Sequence, residues 1–408
     1  MINHSFLMAI AIALISIVWV ELVRDFYHYL AHIWQPLYRL HSWHHRVFKP
    51  DLSVNSETIY RQAHWYNDIP ESLVMLIFSS IFALLVITQG WITSEFQWLA
   101  WLGSFYTLTF TASAIARGLG VPYADEITDV THRQGDFEAI PANWFVNRSY
   151  HWRHHFDDQN AYFCGTFTLV DRIMGTALSL KGKKIAVTGA SGTLGQALIK
   201  KLYLKGAKVT ALTSQDLELF INVKNEQIPI KTITWQIGEE SKLTPILEKI
   251  DILIVNHGIN VYGENSAEAI EKTYEINAFS GWRLMELFLK TVKNNQDKAT
   301  KEIWVNTSEA EVNPAFSPLY EMSKRTMGDL VTLKRVNSPI IIRKLILGPF
   351  KSNLNPIGVM SADWVAQQIV NLAVRDFRDI IITINPLTYI LFPIKEWLML
   401  SYCKVMTK

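Results

Sequence analysis

Nine of the 12 histidines in this chain fall in four short stretches. RDFYHYLAH carries His28 and His32, LHSWHH carries His41, His44 and His45, THRQGDF carries His132, and HWRHH carries His151, His154 and His155. Offsets of three and four bring side chains to one face of a helix, so each box presents a patch of imidazoles. Neutral imidazole is a good ligand for first-row metals, and nine in such spacings suit a two-metal centre. One HxxxH alone would read as a pair of structural histidines; two HxxHH boxes beside it make metal binding the reading. His4 is read as a solvated terminus, and His64, in RQAHWYND, as a supporting or structural group. Asp25, Asp129, Asp157 and Asp158 lie near the boxes and are candidates to orient the rings.

A second constellation starts at TGASGTLG, Thr188 to Gly195, which follows a strand-like KIAV and opens an amphipathic stretch. In that context a glycine turn holds a pyrophosphate on backbone N–H groups at a helix start. The cofactor-binding candidates are Thr188, Gly189, Ser191, Gly192, Thr193, Leu194 and Gly195, with Asn256 and Gly258 in VNHGIN and Thr213 in ALTSQD. Where an acid would bind the ribose of NAD, the chain has Thr213 and Ser214, and no arginine stands there either, so NADP is favoured slightly over NAD. Tyr320 and Lys324, in YEMSK, are four apart. A phenol with a pKa near 10 needs such a neighbouring cation to exchange protons near neutral pH.

The elements that must position these residues fall in two halves. The chain has 408 residues, 49% of them apolar, with 14 tryptophans, which suits two domains with one partly in lipid. Ser5 to Val23, Leu73 to Ile92 and Phe96 to Ala116 are each about 20 residues long, mostly apolar and free of Lys and Arg, the length needed to cross a bilayer. MINHSF lacks the positive start of a secretory signal, so the first span is read as retained. Arg24, Arg39, Arg46, Lys49, Arg61, Arg117, Arg133, Arg148 and Arg153 then lie on one side with the histidines, which the positive-inside rule makes cytoplasmic. From Lys181 strands alternate with helices: Lys184 to Val187, Lys208 to Leu212, Ile252 to Val255, Ile303 to Val305 and Ile340 to Leu345, with a helix at Leu194 to Leu204. That alternation predicts an α/β Rossmann fold, a doubly wound parallel sheet, behind an α-helical integral membrane domain. The boundaries are 1–180, 181–385 and an apolar C-terminal tail, 386–408. In the tail, TYILFPIKEWLML is interrupted by Lys395 and Glu396, so it is placed on the bilayer surface or, as an alternative, buried as a last helix. A net charge of +2 gives no footprint for nucleic acid, and two cysteines in no metal or redox spacing fit a reducing compartment.

The histidine boxes, with RDFYHYLAH, LHSWHH and LVDRIMGT, resemble the fatty acid hydroxylase and sterol desaturase superfamily over about residues 20 to 177. The resemblance implies a non-haem di-iron centre, two Fe per chain on the nine histidines, that uses O₂ to hydroxylate or desaturate a sterol, fatty acyl or carotenoid lipid. Two departures are a missing first membrane hairpin and Asp136 where some relatives carry a further histidine. A carboxylate is an acceptable iron ligand. Residues 182 to 380 resemble the short-chain dehydrogenase/reductase family, with NHG in place of the familiar NAG. That resemblance makes Tyr320 the acid/base, Lys324 its pKa-lowering and ribose-binding partner, Ser308 the carbonyl holder and Asn277 part of a proton relay. The fusion resembles chains of the bifunctional sterol desaturase/short-chain dehydrogenase kind. The resulting expectation is a membrane oxidoreductase that couples lipid hydroxylation or desaturation to NAD(P)-dependent alcohol/carbonyl interconversion. Its partners would be a lipid substrate, the membrane and an external electron-donor protein, since a nicotinamide gives hydride pairs and no flavin or haem motif is seen. The alternatives are a dehydrogenase whose histidine domain is a non-catalytic metal-binding membrane anchor, or a nucleotide-gated metal sensor or transporter. Against transport, the histidines flank the spans rather than line them.

Overall fold

The computed structural model describes residues 4–124 and 131–407; Asp129 lies outside them. The chain forms two compact units, Met1–Ala177 and Leu178–Lys408.

In the first unit the helices His4–Ile33, Glu57–Thr88 and Ser94–Leu119 are long and apolar enough to cross a membrane. Their mutual faces carry small residues, which let backbones approach closely. Gly103 N donates to Ser16 Oγ at 3.0 Å, and Ser104 Oγ donates to Ser79 Oγ at 3.0 Å. A Cβ at Gly103 would stand 2.7 Å from the Ser16 carbonyl oxygen. Outward faces carry large apolar side chains such as Leu14, Ile77 and Phe105. The second span begins well before the apolar run at Leu73. Polar RQAHWYND stays helical, with a π-helical turn at His64–Asp68, because its polar groups are buried against one another. Two shorter helices, Gln35–Val47 and Arg148–Phe156, carry the HxxHH boxes.

The second unit is built on an eight-stranded sheet. Its strands are β1 (Lys184–Thr188), β2 (Lys208–Thr213), β3 (Leu219–Val223), β4 (Glu226–Thr234), β5 (Ile252–Val255), β6 (Glu302–Asn306), β7 (Ile341–Leu347) and β10 (Asp379–Ile382), in the order β10-β7-β6-β5-β1-β2-β4-β3. A minor pair, β8 (Phe350–Lys351) and β9 (Met360–Ser361), lies apart. Every pairing is parallel except β3 with β4. β1 lies between β2 and β5, so the direction of winding reverses beside it, which is where open α/β sheets bind ligands. Buried apolar residues cover both faces of the sheet. The β3–β4 hairpin is absent from the sequence expectation; it turns at Lys224 and Asn225, whose φ values of +50° and +68° are not signalled by the usual Asn-Gly pair.

Residues 386–408 join this unit as the helix Thr388–Met406, packed on the helix Pro318–Arg335. Lys395 and Glu396, which break the apolar run, fasten it. Glu396 accepts from Lys344 at 2.6 Å, Thr332 Oγ1 at 2.9 Å and Arg335 at 2.9 Å, and Lys395 reaches Glu311 at 2.7 Å. Lys344 is fully buried. Glu396→Ala leaves it short of counter-charge, so a loss at the low end of ~3–5 kcal/mol is expected, since Glu311 still faces it. Thermal unfolding of the variant checks this as a lowered Tm of the second unit.

Candidate functional site

The first unit draws all nine boxed histidines into two clusters. One holds His28, His32, His41, His45 and His154, and the other His44, His132, His151 and His155; within each the ligand atoms lie within 4.8 Å of one another. Nε2 of His28 stands 3.1 Å from Nε2 of His41 and 3.0 Å from that of His154, and His151 stands 3.0 Å from His132 and 3.1 Å from His155. These contacts are not hydrogen bonds where the tautomer is fixed. His28 Nδ1–H donates to the Phe163 carbonyl at 2.6 Å, His154 Nδ1–H to the Ala161 carbonyl at 2.8 Å, and His41 Nδ1–H to Asn67 Oδ1 at 2.8 Å. Each ring therefore turns a bare Nε2 lone pair toward the others, an arrangement that a shared cation relieves. Two ligands about 2.1 Å from one ion at a right angle stand about 3.0 Å apart, so the spacing fits a metal. Burial lowers His41 to about 4 and holds His45, His151, His154 and His155 well below the ordinary imidazole value, which keeps them in the ligating neutral form.

Other sequence candidates sit differently. Asp136 is exposed and belongs to neither cluster, because its segment turns outward, where Arg148 holds its backbone carbonyl. His64 is buried, donates through Nδ1 to Asp68 Oδ2 at 2.6 Å and belongs to neither cluster. Asp25 accepts from Gly165 N at 2.9 Å and Asp157 from the Tyr162 hydroxyl at 3.1 Å, both bracing the chain next to the boxes. Asn67 and Asp68, overlooked in the sequence, orient His41: Asn67 Nδ2 donates to Asp68 Oδ1 at 2.8 Å, which fixes the amide so that its oxygen faces the ring. Asp171 is a further overlooked brace. It accepts from Phe163 N and Cys164 N, both at 2.9 Å, and from Tyr150 OH, so it sets the loop that bonds His28.

In the second unit a cavity of about 1120 Å³ is lined by the glycine turn, the end of β2, Asn256 to Gly258, Ser308, Tyr320 and Lys324. The turn needs its glycines: Gly189 has φ +61°, and a Cβ at Gly195 would stand 2.2 Å from the Gly189 carbonyl oxygen. Thr188 Oγ1 ties the turn to the end of β5 by accepting from Asn256 N at 2.9 Å, and His257 Nδ1 lies 2.8 Å from it. This open, backbone-lined cradle fits a dinucleotide. Gly195→Ala is expected to weaken nucleotide binding at least about tenfold, roughly 1.4 kcal/mol, read by titrating the protein with NADPH.

Three of the four proposed catalytic residues, Ser308, Tyr320 and Lys324, line this cavity; Asn277 is not among its lining residues. Burial pushes the pKa of the Tyr320 phenol up, and the neighbouring Ser308 hydroxyl draws it back. Lys324 Nζ donates to the Asn306 carbonyl at 3.1 Å and lies 5.9 Å from the Tyr320 ring centre; burial lowers its pKa to about 8. Asn277 sits in a π-helical turn, Glu275–Phe279, accepts from Ile259 N at 2.8 Å and donates to the Ile259 carbonyl at 2.9 Å. Such turns re-aim a side chain within a helix. Trp235 and His257, which sequence reasoning left out, form one wall with their rings 5.6 Å apart.

Comparison with known proteins places this geometry. Residues 183–338 match the short chain dehydrogenase family. Monoglucosyldiacylglycerol epimerase of Synechocystis sp. (strain ATCC 27184 / PCC 6803 / Kazusa) is 61% identical over 409 residues, covering 99% of both chains. Human 15-hydroxyprostaglandin dehydrogenase (NAD+) is 34% identical over 116 residues, 25% of this chain and 41% of that one. Among solved structures, a short chain dehydrogenase from Burkholderia cenocepacia J2315 in complex with NADP has a TM-score of 0.44 at 17% identity, covering 53% of this chain and 93% of that one. The chain belongs to the same family as the Synechocystis monoglucosyldiacylglycerol epimerase, and its second unit is a short-chain dehydrogenase domain.

Proposed function

We propose that the second unit inverts one hydroxyl-bearing ring carbon of a glucosyl diacylglycerol by oxidation to the ketone and reduction on the opposite face. The observation that carries this reading is the meeting of Ser308, Tyr320 and Lys324 with the glycine turn at one cavity, in a chain 61% identical end to end to an epimerase of that lipid. A bound nicotinamide dinucleotide would supply hydride chemistry at the alcohol carbon in both directions, with no net redox change. Tyr320 takes the hydroxyl proton as the carbonyl forms and gives it back when the alcohol re-forms. Lys324 supplies the positive charge that makes the phenolate accessible, and Ser308 holds the carbonyl oxygen. Thr213 and Ser214 put hydroxyls and no carboxylate at the end of β2, which supports NADP before NAD. Full-length protein given the glucolipid and NADP is expected to yield a second hexosyl lipid of the same mass, separable by chromatography of the released sugars. A product lighter by two hydrogens, accumulating with NADPH, would make the domain a plain dehydrogenase instead.

A second reading is favoured by the converging Nε2 lone pairs: the first unit holds two metal ions, iron by the resemblance of its boxes to the fatty acid hydroxylase and sterol desaturase superfamily, in the clusters His28/His32/His41/His45/His154 and His44/His132/His151/His155. Bound iron would supply one-electron and O₂ chemistry toward a lipid, drawing electrons from a separate donor protein. His41, His28 and His154 are oriented for that role by Asn67, Phe163 and Ala161. We also place the histidine boxes on the cytoplasmic side, on the strength of the basic residues beside them.

A further inference from the structure

The cavity that holds Tyr320 opens through an apolar rim. Phe316, Leu354, Ile357, Val359 and Ile384 line it and are exposed, Phe316 at 98% and Ile357 at 90%. Phe316 also holds φ +56°, a left-handed conformation that is costly for a bulky side chain, so the backbone is strained where the ring projects. Single exposed apolar residues are ordinary on a protein surface; a set of them around a catalytic opening is not. From Ile384 the same surface continues through Leu387 onto the helix Thr388–Met406. There Ile390, Ile394, Trp397 and Leu398 are exposed, while Phe392, Glu396 and Cys403 face inward.

We propose that this rim and the outer face of the last helix form a membrane-contact surface, which seats the cavity on a bilayer so that a sugar headgroup enters while the acyl chains stay in lipid. The identity of the substrate rests on the epimerase reading. A bilayer is the occupant that the surroundings favour. The same chain carries three helices long and apolar enough to cross a membrane. A protein seated on the rim, a second copy included, would cover the opening to Tyr320, whereas a bilayer delivers a diacylglycerol lipid through it. The depth of such contact is limited by the ion pairs of Lys395 and Glu396, which keep the helix attached to the sheet rather than free to span.

Both native cysteines, Cys164 and Cys403, are buried, so an added surface thiol can be labelled selectively. Full-length Phe316→Cys, Ile357→Cys and Trp397→Cys proteins would carry an environment-sensitive dye in nanodiscs containing spin-labelled phospholipid, with Glu226→Cys at the β3–β4 turn for comparison. Blue-shifted, lipid-quenched emission at the first three sites and unquenched emission at the fourth is expected. Emission that is blue-shifted but unquenched at the rim would mean protein covers it, and water-like emission would mean nothing does; either overturns the proposal. An Ile390→Ser/Trp397→Ser double variant, on the outer face of the last helix and outside the cavity lining, is expected to lose at least about tenfold in kcat/KM on long-chain glucolipid in vesicles while its activity on a water-soluble short-chain glucolipid stays unchanged. Equal losses on both substrates would overturn the membrane role and leave that face a structural part of the domain. Wild-type protein inactive on both substrates, with quenching intact, would sink the epimerase reading and leave the surface standing.

Discussion

The Tyr320→Phe protein is expected to lose epimerisation by about 10²–10⁴-fold while binding the nucleotide as before. The substitution keeps the ring and removes the one proton that the phenol can exchange. Lys324 remains buried on the Asn306 carbonyl, and the turn from Gly189 to Gly195 is untouched, so the cradle for the pyrophosphate keeps its shape. Ser308 cannot substitute: an unperturbed hydroxyl gives up its proton only at far higher pH, and its oxygen already accepts from Ala310 N at 3.1 Å. The measurement is conversion of the glucolipid alongside an NADPH titration of the same preparation. Metal content is expected to match the parent, because both histidine clusters lie in the first unit. Interconversion at the parent rate would leave nucleotide sensing as the better account of the second unit.

Replacing His151, His154 and His155 together with alanine is expected to strip the metal from the first unit. The second cluster would keep two of its four imidazoles, His44 and His132, and the first would lose His154, whose Nε2 stands within 3.2 Å of both His28 and His45. Elemental analysis of purified protein should find about two ions per chain in the parent and well under one in the variant. Nucleotide binding by the second unit serves as the check that the chain still folds. Asp136→Ala, at an exposed position outside both clusters, is expected to keep the full complement. A triple variant as metal-rich as the parent would reduce the clusters to buried structural histidines.

Much of each site is legible in short stretches of sequence, and the gaps have a common cause. The boxes announce themselves because offsets of three and four are enforced by one helix, and the glycine turn because steric limits leave no other residue at Gly189 and Gly195. Asn67 and Asp68 carry no such signature. They acquire their role only when the π-helical turn packs against the helix Gln35–Val47, bringing together residues 26 apart. Lys395 and Glu396 read in the sequence only as interruptions of an apolar run, whereas in the fold they meet Glu311, Arg335 and Lys344 from 52 to 84 residues away. Pairings of that length leave no periodic trace. The β3–β4 hairpin escaped for a local reason: Lys224 and Asn225 adopt a turn that their residue types seldom signal.

The contact between the imidazoles of His28 and His154 spans 126 residues, and the hydrogen bond from His28 to the Phe163 carbonyl spans 135. During synthesis at ~5–20 residues per second, the first of these distances corresponds to roughly 6–25 s. For that interval the apolar helix His4–Ile33 has emerged with its histidines, while the loop that must fix their tautomers does not yet exist. The clusters therefore cannot assemble until the last box has left the ribosome, long after the first helix has emerged. A nascent chain arrested shortly before His151 should still lack three of its nine boxed imidazoles.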